Sequence, residues 1–557
     1  MARTNILRGR VLAMSTDRLE PVEAVGVADG QITGVGAAQQ VEQTTPDGGV
    51  EVLDFGERTI LPGFVDAHAH VEIAARTRAS MVDCRAPRCA TVADVLQQLS
   101  DHRDMADVNG GWLVGQGNLF LDQKLADKRL PTRDELDTVS KTMPIVLRAG
   151  GHRSVLNSAA FERAGLDRFE DGGEGLMGSA VIEADEHGCP TGVVAEIDNA
   201  LPIPPMGPDA LRDAIERHTH ELFTAYGVTT IGEITESKEG VQAHNDLATA
   251  GRLQTRLSLL LWSPGTFTFE EALDWRNTLS LTAPADRLNV RGIKMFADGG
   301  YSARNAATRK PYVEPYALEP GSRGRVNLPR DTIADAVRRA REAGLQLAVH
   351  ANGERAQDEV CHGIIAAGPA GPGDLPTRIE HAGNFVTDDT APQLWREAGI
   401  IPMPQAVFLY NFGDFFPVYL GEHGQHGRFP FRTLLDAGWE LSASSDVHLG
   451  ADEEQTNPLF GVWCTMKRQS FLGAILEPEQ AITLDEALLM HTRWAAQALG
   501  ADDRGSLAPG QTADVIVLDR DIQTASVDEL RDIKVDRVYL GGELVYERPG
   551  ATPPRSA

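Results

Sequence analysis

Leu61-Pro62-Gly63-Phe64-Val65-Asp66-Ala67-His68-Ala69-His70 is the stretch from which the rest of the chain can be read. An apolar run opens after a Pro-Gly turn and ends in His-x-His. Residues two apart on a strand point to the same side. A strand here would carry both imidazoles on one side of its C-terminal end, where two such nitrogens can share one metal ion. A bare His-x-His is common by chance. Its position at the end of a hydrophobic strand is what gives it weight.

Outward from this strand, the middle of the chain alternates strand and helix patterns, the signature of parallel βαβ units. Eight buried-strand patterns occur, at residues 60–67, 228–234, 253–262, 290–296, 345–351, 378–382, 400–405 and 441–445, with helical patterns such as 332–343 and 391–398 between them. Eight parallel strands predict a closed α/β architecture, a (β/α)8 TIM barrel with its site at the C-terminal strand ends. A doubly wound open sheet is the other arrangement, but no Gly-x-Gly-x-x-Gly follows the first strand. Both chain ends read as short strands: Asp29-Gly30 and Gly541-Gly542 each separate alternating apolar runs, a hairpin signal. The termini are therefore expected to pair as one small β-sandwich, residues 1–59 with 501–557, around a barrel of residues 60–500. Residues 74–205 form a long insertion over the barrel mouth, with a helix at 92–101. The segment after Tyr546 is expected to be a disordered tail.

Several strand ends repeat the opening theme. Lys294, His350, His381 and Asp446 each stand as a lone polar group at the end of an apolar strand pattern. Any one could be a satisfied core residue or a helix cap. Together with His68 and His70 they converge on one face of the barrel, and packing alone explains this poorly because buried unpaired charge is costly.

Composition narrows the function. The 557 residues are 42% hydrophobic and 24% charged, and the 52 basic against 80 acidic side chains leave a net charge of −28. That balance argues against nucleic acid or an anionic membrane as partner, since both require a basic face. A small-molecule substrate is expected instead, and a homodimer on general frequency. No apolar run reaches the ~18 residues of a membrane span, and no signal-peptide pattern opens the chain, so a cytoplasmic location is the expectation. The five cysteines are odd in number and include no Cys-x-x-Cys, so a metal would be held by nitrogen and oxygen.

His-x-His on strand one, Lys294, His350, His381 and Asp446 resemble the ligand order of the amidohydrolase superfamily. Finer motifs are similar to its third amidohydrolase subfamily, which includes YtcJ-like proteins and N-substituted formamide deformylases. They are Lys294-Met295-Phe296-Ala297-Asp298-Gly299, His350-Ala351-Asn352-Gly353-Glu354-Arg355-Ala356, Arg378-Ile379-Glu380-His381-Ala382, and Ser445-Asp446 followed by Asn457-Pro458-Leu459. The resemblance spans nearly the whole chain. Three departures stand out: Val447-His448-Leu449 after Asp446, Glu354 where relatives carry Asp, and a Gly151-His152-Arg153 loop without its Asp.

The resemblance implies two divalent ions, with zinc the expected metal. His68 and His70 with Asp446 would hold one ion, His350 and His381 the other, and a carbamylated Lys294 would bridge them. It implies hydrolysis of a non-peptide C–N bond (amide, N-formyl, carbamate or urea type) by a metal-activated hydroxide. Asp446 would be the general base and then the general acid, and His152 a donor to the substrate oxygen. Trp112, Phe120, Phe408 and Tyr410 are the candidate lining of an apolar or aromatic substrate pocket. Two other readings belong beside it. One is an aminohydrolase acting on a nucleobase-like ring, which typically places a catalytic Glu where this chain has Gly353. The other is a non-catalytic scaffold that keeps the barrel but loses ligands, whereas all six are present here.

Overall fold

In the computed structural model, which describes residues 4–46, 50–151, 153–166, 181–195, 197, 201–452 and 454–556, seven parallel strands lie side by side in chain order. They are Phe64–Ala69, Val228–Ile234, Arg256–Trp262, Leu288–Phe296, Gln346–His350, Arg378–Glu380 and Ile401–Met403. Helices return the chain between them, each burying one stripe. In Arg330–Glu342 the buried residues include Ile333, Ala336, Val337 and Ala340, at i, i+3, i+4 and i+7. Along the first strand, Asp66 and His68 face the interior. Val65 and Ala67 pack outward on Ala495, Ala496, Ala498 and Leu499.

The expected eighth strand is an extended segment without a ladder. Residues 441–445 are buried, but their amides are spent elsewhere. Ala443 N–H donates to Met490 O (2.8 Å) and Ser445 N–H to the Asp66 carboxylate (2.9 Å). The segment still abuts the first strand, since Asp446 N–H donates to His68 O (2.8 Å) and His70 N–H to Val447 O (2.9 Å). On its other side Gln405 Nε2 donates to Ser444 Oγ (3.0 Å), just past the seventh strand. The sheet is therefore a curled seven-stranded one, with residues 441–446 lying against its first strand.

The termini do pair, as one continuous eight-stranded mixed sheet in place of the expected two-layered sandwich. Its spine is Glu51–Pro62, which pairs in parallel with Asn5–Val11 and antiparallel with Val515–Leu518 and leads directly into Phe64. Alternation divides the faces of Val515–Leu518. Val515 and Val517 pack with Leu7, Val27 and Tyr539, and Ile516 and Leu518 join the core under the curled sheet. A one-residue slip would exchange these sets, and each fully buried aliphatic side chain is worth roughly 1.5–3 kcal/mol. The chain end is ordered against this sheet rather than loose: Arg555–Ser556 pairs with Asp54 and Leu53.

The insertion carries a sheet that its sequence did not announce. Six strands, in spatial order Val181–Ala184, Pro190–Ala195, Arg153–Leu156, Ile145–Ala149, Leu113–Gly117 and Val82–Asp83, have apolar cores on both sides. The helix read at 92–101 is present as Val92–Asp101, started by a Thr91–Asp94 capping box. Among the described residues, no helix is long and apolar enough to cross a membrane.

Candidate metal centre

The strand ends bring the predicted side chains into one cluster. His68 Nε2 and His70 Nε2 face Asp446 Oδ1 at 3.3 and 3.4 Å, and Asp446 Oδ2 lies 4.0 Å from His381 Nε2. His381 Nε2 in turn meets His350 Nδ1 at 3.1 Å. One ligand atom from each of His68, His70 and Asp446 lies within 4.8 Å of the other two, and all three residues are buried. Asp446 stands between the pairs, one oxygen toward each.

Every imidazole has one nitrogen occupied and the other turned inward. His68 Nδ1–H donates to Glu380 (2.5 Å) and His70 Nδ1–H to Glu236 (2.5 Å). His381 Nδ1–H donates to Gln405 Oε1 (2.7 Å), and His350 Nε2 lies 3.2 Å from the Gly299 carbonyl and from Asn352 Nδ2. Such outer partners fix ring orientation and tautomer in histidines that bind metal. Glu380 is itself held by Arg378, whose Nε donates to it at 2.9 Å and whose Nη2 donates to Ala67 O at 3.0 Å. Sequence reasoning passed over Glu236, Gln405 and the Arg378–Glu380 pair. Two charged residues on the same side of a buried strand were the available signal, since such groups must pair.

Two side chains of the cluster depend on unusual backbone. His381 (φ 75°) and Asp446 (φ 47°) both adopt the left-handed region that non-glycine residues avoid. A buried network fixes the Asp446 loop. Gln455 Nε2 donates to Ser445 O (2.9 Å) and Asp446 O (3.2 Å), and its Oε1 accepts from Asp452 N–H (2.9 Å). The Asp452 carboxylate is gripped by Lys124 Nζ at 2.9 and 3.0 Å, so the insertion helps to hold the loop.

The electrostatics are those of a site built for positive charge. Burial, with the nearby Lys294 charge, pushes His68 down to about 3, so its ring is neutral. Burial opposes the His70 charge too, but hydrogen bonds to Asp446 and Glu236 outweigh it and raise the ring to about 10. Asp446 is held well below the usual carboxylate range: burial works against its charge, but the surrounding imidazoles and the His70 hydrogen bond prevail. Lys294 is fully buried, has no hydrogen-bond partner among the described residues, and is lowered by burial to about 8. Buried His68 Nε2 likewise has no hydrogen-bond partner. An orphaned buried imidazole nitrogen beside an ionised carboxylate fits a bound cation, because unsatisfied buried polar atoms are costly.

A cavity of about 680 Å³ opens over this cluster, lined by His70, Lys294, His350, His381 and Asp446 among others. None of the four aromatic residues expected to line it does so, although the Phe408 ring stacks on that of His381, with centroids 6.2 Å apart. Trp112 is in the core of the insertion. Phe120 packs on Phe412, Phe415 and Tyr419, and Phe408 stacks on Phe412. Tyr410 packs on Phe460 and Phe471. Their segments include the short helices Phe408–Phe412 and Phe416–Leu420, whose rings close a core. The aromatic cavity residues are Trp262 and Phe296, the last residues of their strands. His152 lies outside the described residues, while its neighbour Gly151 lines the cavity.

Comparison with known proteins agrees with this geometry. The chain is 31% identical over 548 residues to the N-substituted formamide deformylase of Arthrobacter pascens, covering 95% of this chain and 96% of that one. It is 26% identical over 543 residues to YtcJ of Bacillus subtilis (strain 168), covering 94% and 96% respectively. An uncharacterized metal-dependent hydrolase from Pyrococcus horikoshii OT3 shares the fold, with a TM-score of 0.71 at 22% identity over 94% of this chain and 99% of that one. The model of the amidohydrolase family matches residues 51–546, the span that contains every ligand of the cluster. The chain belongs to the amidohydrolase family.

Proposed function

We propose that this chain hydrolyses a non-peptide C–N bond of amide, N-formyl, carbamate or urea type in a small substrate with an apolar arm. The observation that carries the reading is the convergence of His68, His70 and Asp446, each buried and each turned inward. We read the fold as an eightfold barrel in which residues 441–445 take the eighth position. His68, His70 and Asp446 would hold one divalent ion, with zinc the expected metal, and His350 and His381 a second. Bound there, the ions supply water that ionises near neutral pH and polarise the substrate carbonyl.

The chain's own groups do the rest. Lys294, lowered to about 8 by burial, has a neutral fraction at physiological pH that can add to carbon dioxide and lose a proton. The resulting carbamate anion would be a bridging ligand. Asp446 is ionised and faces both halves of the cluster, so it can take a proton from the attacking water and return it to the leaving nitrogen. His152, next in the chain to the cavity residue Gly151, is the candidate donor to the substrate oxygen. The test is a screen of N-formyl, N-acyl, carbamate and urea compounds with zinc-loaded protein. Hydrolysis of at least one class, lost with Asp446→Asn, is the expected result. Equal turnover by that variant removes Asp446 from the chemistry.

A further inference from the structure

The helix Val71–Ser80 leaves His70 along the wall of the cavity, and one stripe of it faces the cavity: Ile73, Arg76 and Ser80. Arg76 is half-buried there. Among the described residues its one charged partner is Glu72, at 3.4 Å. That contact is long for a charge-assisted hydrogen bond, which usually falls near ~2.7–2.9 Å. Glu72 is also engaged elsewhere. Its Oε1 accepts from the Ser237 hydroxyl (2.7 Å) and its Oε2 from the Ser237 amide (3.0 Å). The carboxylates that line this cavity, Glu236 and Asp446, both face imidazoles of the metal cluster. Arg76 therefore presents a weakly compensated guanidinium to the cavity, and guanidinium binds carboxylate well. The insertion lines the cavity around it with the apolar Val108, Val114, Leu201 and Ile203 and the polar Asn109 and Arg148.

We propose that the substrate is an amide whose far end carries a carboxylate, that Arg76 binds this carboxylate, and that an apolar spacer between the two ends lies along the insertion wall. For its reacting end this rests on the hydrolase reading above. Arg76 lies six positions beyond His70, about 9 Å of helix rise, which sets the scale of the spacer. For an N-formyl ω-amino acid the reaction is a plain hydrolysis. Water adds across the C–N bond, the bond breaks, and formate and the ω-amino acid leave without a redox partner.

Two measurements test this. In the first, zinc-loaded protein is given N-formyl-aminohexanoate, N-formyl-aminooctanoate and N-formylglycine beside the carboxylate-free N-hexylformamide. The longer carboxylates are expected to exceed both N-formylglycine and N-hexylformamide about tenfold in kcat/KM, mainly through KM. Arg76→Met is expected to erase the advantage and Arg76→Lys to restore part of it, with metal content and circular dichroism showing that both variants are folded and loaded. In the second, octanedioate and octanol bind to metal-free protein in a calorimeter. The dianion is expected to bind at least tenfold more tightly, and Arg76→Met to abolish the difference. Equal use of charged and neutral amides, or an advantage that survives Arg76→Met, overturns the inference and leaves the hydrolase reading standing. Arg76-dependent binding without turnover of any amide supports the anion site and counts against the hydrolase reading. No Arg76-dependent binding overturns the anion site.

Discussion

The two halves of the metal cluster are built alike and supported differently. His68 and His70 each donate their outer N–H to a carboxylate, Glu380 and Glu236. The outer nitrogen of His381 meets the neutral Gln405 amide, and that of His350 meets the Gly299 carbonyl and Asn352 at 3.2 Å, with the Asp298 carboxylate farther off at 3.5 Å. A carboxylate behind an imidazole makes it a more basic and better oriented ligand. Among the described residues, only the first half, with Asp446, brings three candidate ligand atoms within 4.8 Å of one another. On the two-ion reading proposed above, the difference makes the site asymmetric: His68–His70–Asp446 would hold its ion tightly and His350–His381 a more exchangeable one.

The sharpest way to break that comparison is to remove what the halves share. Asp446 faces both, so Asp446→Asn should lower kcat by about 10²–10⁴-fold and weaken both ions, as read by steady-state kinetics and metal analysis after dialysis. Next in size is Glu380→Gln, which leaves the His68 ring in place without its anion. It should weaken the tighter ion about 10–100-fold. It should also lower stability by ~3–5 kcal/mol, since buried Arg378 loses its charge partner. Competition with a chelator and denaturant unfolding check the two effects. Gln405→Leu should weaken only the second ion, by less than about tenfold. Equal losses of both ions in that variant would contradict the asymmetry.

The smallest effect is a proton count. In the metal-free protein His70, raised to about 10, carries a proton at pH 7, whereas His381 is lowered by burial and carries none. Loading the first half must therefore expel the His70 proton, so its apparent affinity should rise with pH from 6 to 9. Loading beside His381 should expel little from that ring. Titration in buffers of different ionisation enthalpy reads both numbers.

Much of this site was legible because metal chemistry restricts residue type. His68, His70, His350, His381 and Asp446 end strand patterns that periodicity alone locates, and the structure brings them together. What stayed hidden depends on long-range geometry. Glu236, just past the strand pattern 228–234, and Gln405, the last residue of the pattern 400–405, show no role until the sheet curls them behind His70 and His381. The left-handed backbone at His381 and Asp446 has no sequence signature, because neither position is glycine. Aromatic residues misled for a similar reason. Phe408 and Tyr410 follow a strand as mouth residues do, yet fold into a short helix that turns them into the core. Trp262 and Phe296, as final strand residues, were the better candidates. The eighth strand failed as a ladder because Asp66 and Met490 take its amides, a competition between distant residues that no local pattern records.

The most direct test of the central claim is a crystal structure of zinc-loaded protein with diffraction recorded at the zinc absorption edge. The strongest anomalous peak should lie about 2.0–2.2 Å from His68 Nε2, His70 Nε2 and an Asp446 oxygen, with a weaker peak beside His350 and His381. A strongest peak away from His68, His70 and Asp446, or none at all after loading, would contradict the account.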